Sequence, residues 1–197
     1  KKTPIEEFAN IRSSGIKAIN LSQKDNLVFV GLSSGKDDVL ITTKKGQSIR
    51  FSEDDVRSMG RTASGVIGIR LAKEHDAVVG TIIIPAKKEK DISLLLVSEH
   101  GYGKKTEISE YKVQNRAGSG IRTYKISSKT DTGDLIAARV LDQEYENDVI
   151  IATLKGKFIR LDTKQIPTLG RDTLGVRLIN LATGDKVTSV AVLQDEK

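Results

Sequence analysis

Short apolar runs, rich in Val and Ile and broken by polar turns, set the pattern of this chain, and no stretch sustains apolar residues at helical spacing. Four runs follow a polar turn: DNLVFVGL from Asp25, DAVVGTIII from Asp76, GDLIAARVL from Gly133 and GDKVTSVAVL from Gly184. Further strands are expected at DVLITT from Asp38, DISLLLVS from Asp91 and DVIIATL from Asp148. Each of these leads through a glycine turn into a basic stretch, KKGQSIRF, HGYGKKTEISEY or LKGKFIRL. Glycine between two strands supplies the positive φ that a tight hairpin demands. Helix is limited to a turn or two at EFANIRSS and SEDDVRSMG, where Ser52 precedes Glu53, Asp54 and Asp55 in the manner of a capped first turn.

A longer pattern overlies the strands. GRTASGVIGIRL from Gly60 returns as NRAGSGIRTYKI from Asn115 and GRDTLGVRLINL from Gly170, with a looser copy, NIRSSGIKAINL, from Asn10. The marking glycines Gly15, Gly65, Gly120 and Gly175 are 50, 55 and 55 residues apart, near the period of propeller and solenoid units. Each unit holds about four short strands, which cannot bury both faces alone, so units must stack into a ring or arc. The fold expected is all-β, a propeller-like array of about four four-stranded blades over residues 1–197 with the fourth incomplete. The inward positions expected on the marked strands are Val66, Ile69 and Leu71, then Ile121, Tyr124 and Ile126, then Val176, Ile179 and Leu181. Their first spacing is three rather than two, which requires a bulge or twist.

Composition narrows the function. No apolar run is long enough to cross a bilayer as a helix, and no signal segment opens the chain. Cysteine is absent, which removes disulfides, thiolate metal sites and cysteine nucleophiles and favours an intracellular protein. Lys and Arg number 32 against 26 Asp and Glu, a charge of +6 that favours anionic partners where the cations share a surface. Four Tyr, four Phe and no Trp leave little for a base-stacking platform, so phosphate contact is the better use of the charge.

The cations recur in register. Arg61, Arg116 and Arg171 stand four residues before a marking glycine and Arg12 three before, with small residues between that let backbone amides approach an anion. A second group surrounds the glycine hairpins: Lys44, Lys45 and Arg50, then Lys104 and Lys105, then Lys155, Lys157 and Arg160. Alternation within IRF and FIRL turns Arg50 and Arg160 away from their apolar neighbours, toward an accessible rim. Arg70, Arg122, Lys125 and Arg177 lie on the marked strands, whereas Lys87, Lys88 and Lys90 alternate with acids in a solvated loop. Against phosphate contact stands a structural reading: arginines capping backbone carbonyls or pairing with carboxylates, and lysines guarding sheet edges.

Catalytic chemistry is sparse. His75 in KEHDAVV and His100 in SEHGYGK lie in no spaced metal motif and read as polar turn residues. GYGKKT from Gly101 lacks the spacing of a nucleotide phosphate loop. Tyr124 replaces Ile at equivalent positions and Tyr111 matches Phe8, so both read as core, while Tyr145 sits in the acidic loop LDQEYEND. No residue is assigned to catalysis or to a metal.

Taken together, FSEDDVRSMGRTASGVIGIRL, HGYGKKTEISEY and KKTPIEEFANIRSSGIKAINL resemble the C-terminal DNA-wrapping domain of DNA gyrase A, and less closely that of topoisomerase IV. The resemblance implies a β-pinwheel, a ring or spiral of four-stranded blades that exchange strands and bend duplex DNA around a basic perimeter. It implies no cofactor for this chain, with Mg²⁺ and ATP used elsewhere in the parent topoisomerase. Implied partners are duplex DNA, the other domains of gyrase A and the separate gyrase B chain, for an otherwise monomeric, cytoplasmic and nucleoid-associated module. The gyrase box QRRGGKG has its nearest counterpart in QNRAGSG, Gln114 to Gly120, which keeps Arg116 and Gly118 but departs at Asn115, Ala117 and Ser119. Two alternatives stand beside gyrase: a topoisomerase IV domain directing substrate choice in decatenation, and a propeller-like scaffold for protein partners.

Overall fold

A computed structural model describes residues 1–71 and 73–195. Eleven strands appear among them: β1 Asp38–Thr43, β2 Gln47–Ser52, β3 Val78–Ile84, β4 Ile92–Ser98, β5 Tyr102–Glu107, β6 Ile121–Arg122, β7 Leu135–Asp142, β8 Glu146–Thr153, β9 Phe158–Asp162, β10 Val176–Arg177 and β11 Val187–Asp195. Antiparallel pairing arranges them as β3-β1-β2-β6, β10-β5-β4-β7 and β11-β8-β9. The hairpins β1–β2, β4–β5 and β8–β9 turn through Gly46, Gly101 and Gly156, with φ of 79°, 80° and 83°, as the glycine spacing requires.

A sequence repeat is therefore not a sheet. Each hairpin receives its outer strand from the next repeat, since β3 pairs with β1, β7 with β4 and β11 with β8. It receives a short marked strand from the repeat after that, β6 on β2 and β10 on β5. The exchange of strands between neighbouring blades that the resemblance implies is present in this pairing. The two four-stranded sheets are each assembled from three successive repeats and the three-stranded sheet from two, and the exchange ties neighbours together by backbone ladders as well as by packing.

The core lies between sheets. β4 is buried along its whole length and alternates its allegiance: Leu94 and Leu96 join Leu40, Ile82, Ile84, Tyr111 and Tyr124 on one side. Leu95 and Val97 join Ala137, Val149, Ile151, Val187 and Val190 on the other. A strand covered on both faces needs a continuous apolar run, which is why ISLLLVS lacks the polar alternation of a half-exposed strand. Each such leucine contributes about 1.5–3 kcal/mol by burial.

On the marked strands only the middle expected positions are deeply buried: Ile69 at 8% exposure, Tyr124 at 1% and Ile179 at 3%. Their flanking partners Val66, Leu71, Ile126 and Val176 are exposed, because β6 and β10 hold their sheets through two residues each and 60–71 forms no described strand. DNLVFVGL forms no strand: in the described residues no β1-type strand precedes it to take up its backbone, and Val30 and Leu32 stay exposed. The two expected helical turns are 3₁₀ turns, Glu53–Asp55 with the Ser52 hydroxyl accepting from the Asp54 amide, and Ile5–Phe8, which overlaps the expected stretch only at Glu7 and Phe8. No described helix is long and apolar enough to cross a membrane.

Candidate nucleic-acid interface

The turns that carry Arg116 and Arg171 arch over β2 and β5, each the second strand of a hairpin, and the turn that carries Arg61 lies in the same way over Lys1 and Lys2. The chain arrives parallel to that strand, with Ser58 bridged to Lys2, Val113 to Arg50 and Thr168 to Lys105. The amides of Met59, Gln114 and Leu169 donate to the carbonyls of Lys2, Arg50 and Lys105 at 3.0, 2.7 and 2.8 Å. In the second and third arches it leaves antiparallel, Ile121 opposite Ser48 and Val176 opposite Gly103. The marking glycines allow this reversal: at Gly120, φ is 71° and a side chain would meet the Ser48 carbonyl oxygen at 2.5 Å. Gly175 meets the Gly103 carbonyl in the same way.

The three arginines have equivalent settings. The Nη1 of Arg61 donates to the Lys17 carbonyl at 2.9 Å, that of Arg116 to the Ile67 carbonyl, and that of Arg171 to the Arg122 carbonyl at 3.0 Å. Each acceptor is the second residue after the preceding marking glycine. Carbonyl capping is thus present at all three positions, and each arch is stitched to the marked strand before it. Backbone bonds complete the stitching: Ala117 to Gly68 at 2.8 Å, Arg70 to Gly118 at 2.8 Å and Lys125 to Thr173 at 3.1 Å. Arches and marked strands consequently alternate in one contiguous row. Among the described residues the Nε atoms of Arg61 and Arg171 have no hydrogen-bond partner, although the Arg171 Nε lies 3.9 Å from Glu110 in a loose ion pair.

The other expected cations divide into three groups. Arg12, Arg70 and Lys125 are exposed, and their side chains make no hydrogen bond or ion pair among the described residues. Lys44 and Lys45 share Asp134 at 3.5 and 2.8 Å; Arg122 pairs with Asp172 at 3.1 Å; Arg160 pairs with Asp148; and the Arg177 guanidinium lies 4.9 Å over the Tyr102 ring and donates to its hydroxyl. Lys105, Lys155 and Lys157 donate to the carbonyls of Thr163, Thr183 and Asn180 at 2.8, 2.6 and 2.9 Å.

Two positions do not reach an accessible rim. Arg50 is only 6% exposed, held by Asp38, Glu89 and the Tyr111 carbonyl, because β2 is covered by β1 on one edge and by an arch on the other. Lys104 is fully buried inside the arch of Gly170–Thr173. Aligning the hairpin glycines places it where the other repeats carry Ile49 and Ile159, a signal of burial that charge alone conceals. Aligning the marking glycines places Lys17, exposed and absent from the expected set, in line with Arg122 and Arg177.

The residues capable of chemistry are dispersed. Burial pushes the Tyr111 and Tyr124 hydroxyls up to about 12, and the Tyr111 hydroxyl lies 2.5 Å from that of Thr123, so neither is placed to attack a phosphate. His75 stands beside Glu74 at 3.3 Å, and His100 Nδ1 lies 2.8 Å from the Asp131 carbonyl. Among the described residues no three His, Asp or Glu side chains converge as a metal site.

Comparison with known proteins agrees with this geometry. The family model for the DNA gyrase C-terminal domain, a β-propeller, matches residues 1–34, 37–85, 93–142 and 147–194. DNA gyrase A of Staphylococcus epidermidis is 39% identical over 196 residues, and that of Mycolicibacterium smegmatis 41% over 198. Both alignments cover 100% of this chain but only 21% and 22% of those longer proteins. A solved C-terminal domain of DNA gyrase A superposes with a TM-score of 0.75 at 28% identity, over 90% of this chain and 57% of that one. The C-terminal domain of DNA topoisomerase IV superposes with a TM-score of 0.87 at 24% identity, over 98% and 58% respectively, a likeness of fold. With its four matched repeats, its exchanged strands and these relatives, the chain belongs to the DNA gyrase C-terminal domain family.

Proposed function

We propose that the chain binds duplex DNA through its phosphates and bends it along the row of arginine arches, giving an ATP-dependent topoisomerase of the gyrase kind its wrapped segment and its direction of supercoiling. The observation that carries this reading is the alternation of arches and marked strands, which sets Arg61, Arg116 and Arg171 in equivalent places along one edge. Exposed Arg12, Lys17, Arg70 and Lys125 on the same arches and strands add unpaired charge. Smoothly bending 20–30 base pairs costs about 1–6 kcal/mol, so contacts must be spread along an arc, as a row of arches allows and a single loop does not. Identity near 40% to gyrase A proteins favours gyrase over topoisomerase IV as the parent. On this reading strand cleavage with Mg²⁺ and ATP hydrolysis belong to other parts of the parent enzyme, whose remaining gyrase A domains and gyrase B chain are its protein partners in the cytoplasm.

Salt titration of duplex binding tests the surface. Each phosphate neutralised adds about 0.9 to the slope of log affinity against log salt. Replacing Arg12, Arg70 and Lys125 together by Gln should lower that slope by about 2.7 if each meets one phosphate, with the fold intact because none has a partner among the described residues. An unchanged slope and affinity would remove this edge as the DNA surface. A change in linking number when relaxed circles are nicked and closed on the protein separates bending into a wrap from simple binding.

A further inference from the structure

The third arch encloses a charge that none of the assigned contacts uses. It is closed at one end by the parallel bridge of Thr168 to Lys105 and at the other by the antiparallel pair Val176 to Gly103, so the side chain between those anchors, Lys104, has nowhere to go but inside. Its ammonium donates to the carbonyls of Gly170 and Arg171 at 2.6 Å each and lies 3.0 Å from the Thr173 hydroxyl, which itself donates to the Gly170 carbonyl at 2.8 Å. Three donors thus meet three acceptors in a site closed to solvent.

The repeats show that this is a device and not a consequence of the fold. At the first arch Lys1 takes the same place, its ammonium donating to the carbonyls of Gly60 and Arg61. At the second arch the place belongs to Ile49, which lies 3.4 Å from the position a Gly118 side chain would occupy. The neighbouring backbone changes with it. Glycine precedes the arginine in both lysine-filled arches, and Asn115 precedes it in the isoleucine-filled one, where Ala117 adopts a φ of 66°. An arch can therefore close without an ammonium, but in another backbone conformation.

Resting on the DNA-binding reading above, we infer that Lys104 is a positioning residue for phosphate contact: its ammonium gathers the arch carbonyls inward and so sets Arg171 for the duplex. The charged groups acting on it are Glu110, which follows β5, and Asp172 and Arg171 in the arch itself. Burial is the largest influence and brings the lysine down to about 8, while Glu110 and Asp172 oppose the fall and Arg171 adds to it. The ammonium form that ties the carbonyls is present below that value and is lost as pH rises through it. Duplex bound at Arg171 adds negative charge nearby and favours the ammonium, so DNA should raise the lysine's pKa.

Duplex affinity is measured from about pH 7 to about pH 9.5 for the unaltered chain, Lys104→Met and Arg171→Gln, with Lys104 followed by isotope-edited NMR in the unaltered chain with and without a saturating duplex. The expected results are a fall in affinity of the unaltered chain centred near 8, a Lys104→Met variant about tenfold weaker at neutral pH and lacking that step, and an upward shift of the Lys104 titration on binding DNA. Lys104→Met with unaltered affinity and pH profile overturns the inference. If that variant fails to fold, a Lys104 titration that DNA leaves unmoved overturns it in the native chain. Loss of affinity in Arg171→Gln alone leaves the DNA reading standing, whereas unchanged affinity in Arg171→Gln means that the arch is not a DNA contact.

Discussion

Arg50 and Arg160 occupy the same place in two hairpins, opposite Leu40 on β1 and Ile150 on β8, yet their replacement by Met should have very different costs. The Arg50 side chain is 7% exposed and meets Asp38 at 2.7 Å, Glu89 at 2.9 Å and the Tyr111 carbonyl at 3.1 Å. It joins the first sheet to the β3–β4 loop and to Tyr111 just past the 3₁₀ turn that follows β5, and the Asp38 carboxylate it faces is 20% exposed. Burial opposes its charge, but hydrogen bonds to Glu89 and Asp38 outweigh that and hold its pKa up. Removing one partner of such a pair leaves a desolvated carboxylate, at a cost of about 3–5 kcal/mol. Arg160 lies on β9 at the end of its sheet, is 62% exposed and among the described residues pairs only with Asp148, so its loss should cost about 0.2–1 kcal/mol. With about 2–4 °C per kcal/mol for a chain of this size, thermal unfolding should shift by roughly 6–20 °C for Arg50→Met and by at most about 4 °C for Arg160→Met. Methionine keeps the apolar stem in both cases, so the difference reports the buried charge. Equal shifts, or an Arg50→Met cost below about 1 kcal/mol in denaturant titration, would refute the reasoning.

Ala117 has a φ of 66°, a region that costs a side-chain-bearing residue about 1–2 kcal/mol, so Ala117→Gly should raise the melting temperature by a few degrees; no rise means the arch relaxes around alanine. Glu53 is 2% exposed; burial pushes its pKa up, but donation from the Asp37 amide at 2.8 Å and the Ser33 hydroxyl at 2.8 Å, with Lys2 nearby, brings it below 4.5. A folded-state pKa below the unfolded one contributes stability above the unfolded value that is lost as pH falls through the folded one, so stability should decline in acid and Glu53→Gln should flatten that decline. An identical acid slope in Glu53→Gln would assign the loss to other carboxylates.

Hairpins were legible because their signals are local. The glycines that turn β1 into β2, β4 into β5 and β8 into β9 stand at fixed offsets from runs of alternating or continuous apolar residues, and the buried middle positions Ile69, Tyr124 and Ile179 follow each marking glycine by four. The arginine row was legible as a period, though not as a contact, because its acceptors are backbone carbonyls about 45–50 residues away that carry no residue signature.

The repeat, the strand type, the hairpin turns and the recurrence of an arginine before each marking glycine are all readable from local spacing along the chain. Tertiary structure alone decided which repeats share a sheet and which cations are enclosed. The reason is physical: a ladder is chosen by whichever edge is free in space, and an edge belongs to a partner far along the chain. Arg50, Lys105 and Arg160 share a repeat position, and only the elements packed over each one separate a buried tie from an exposed charge.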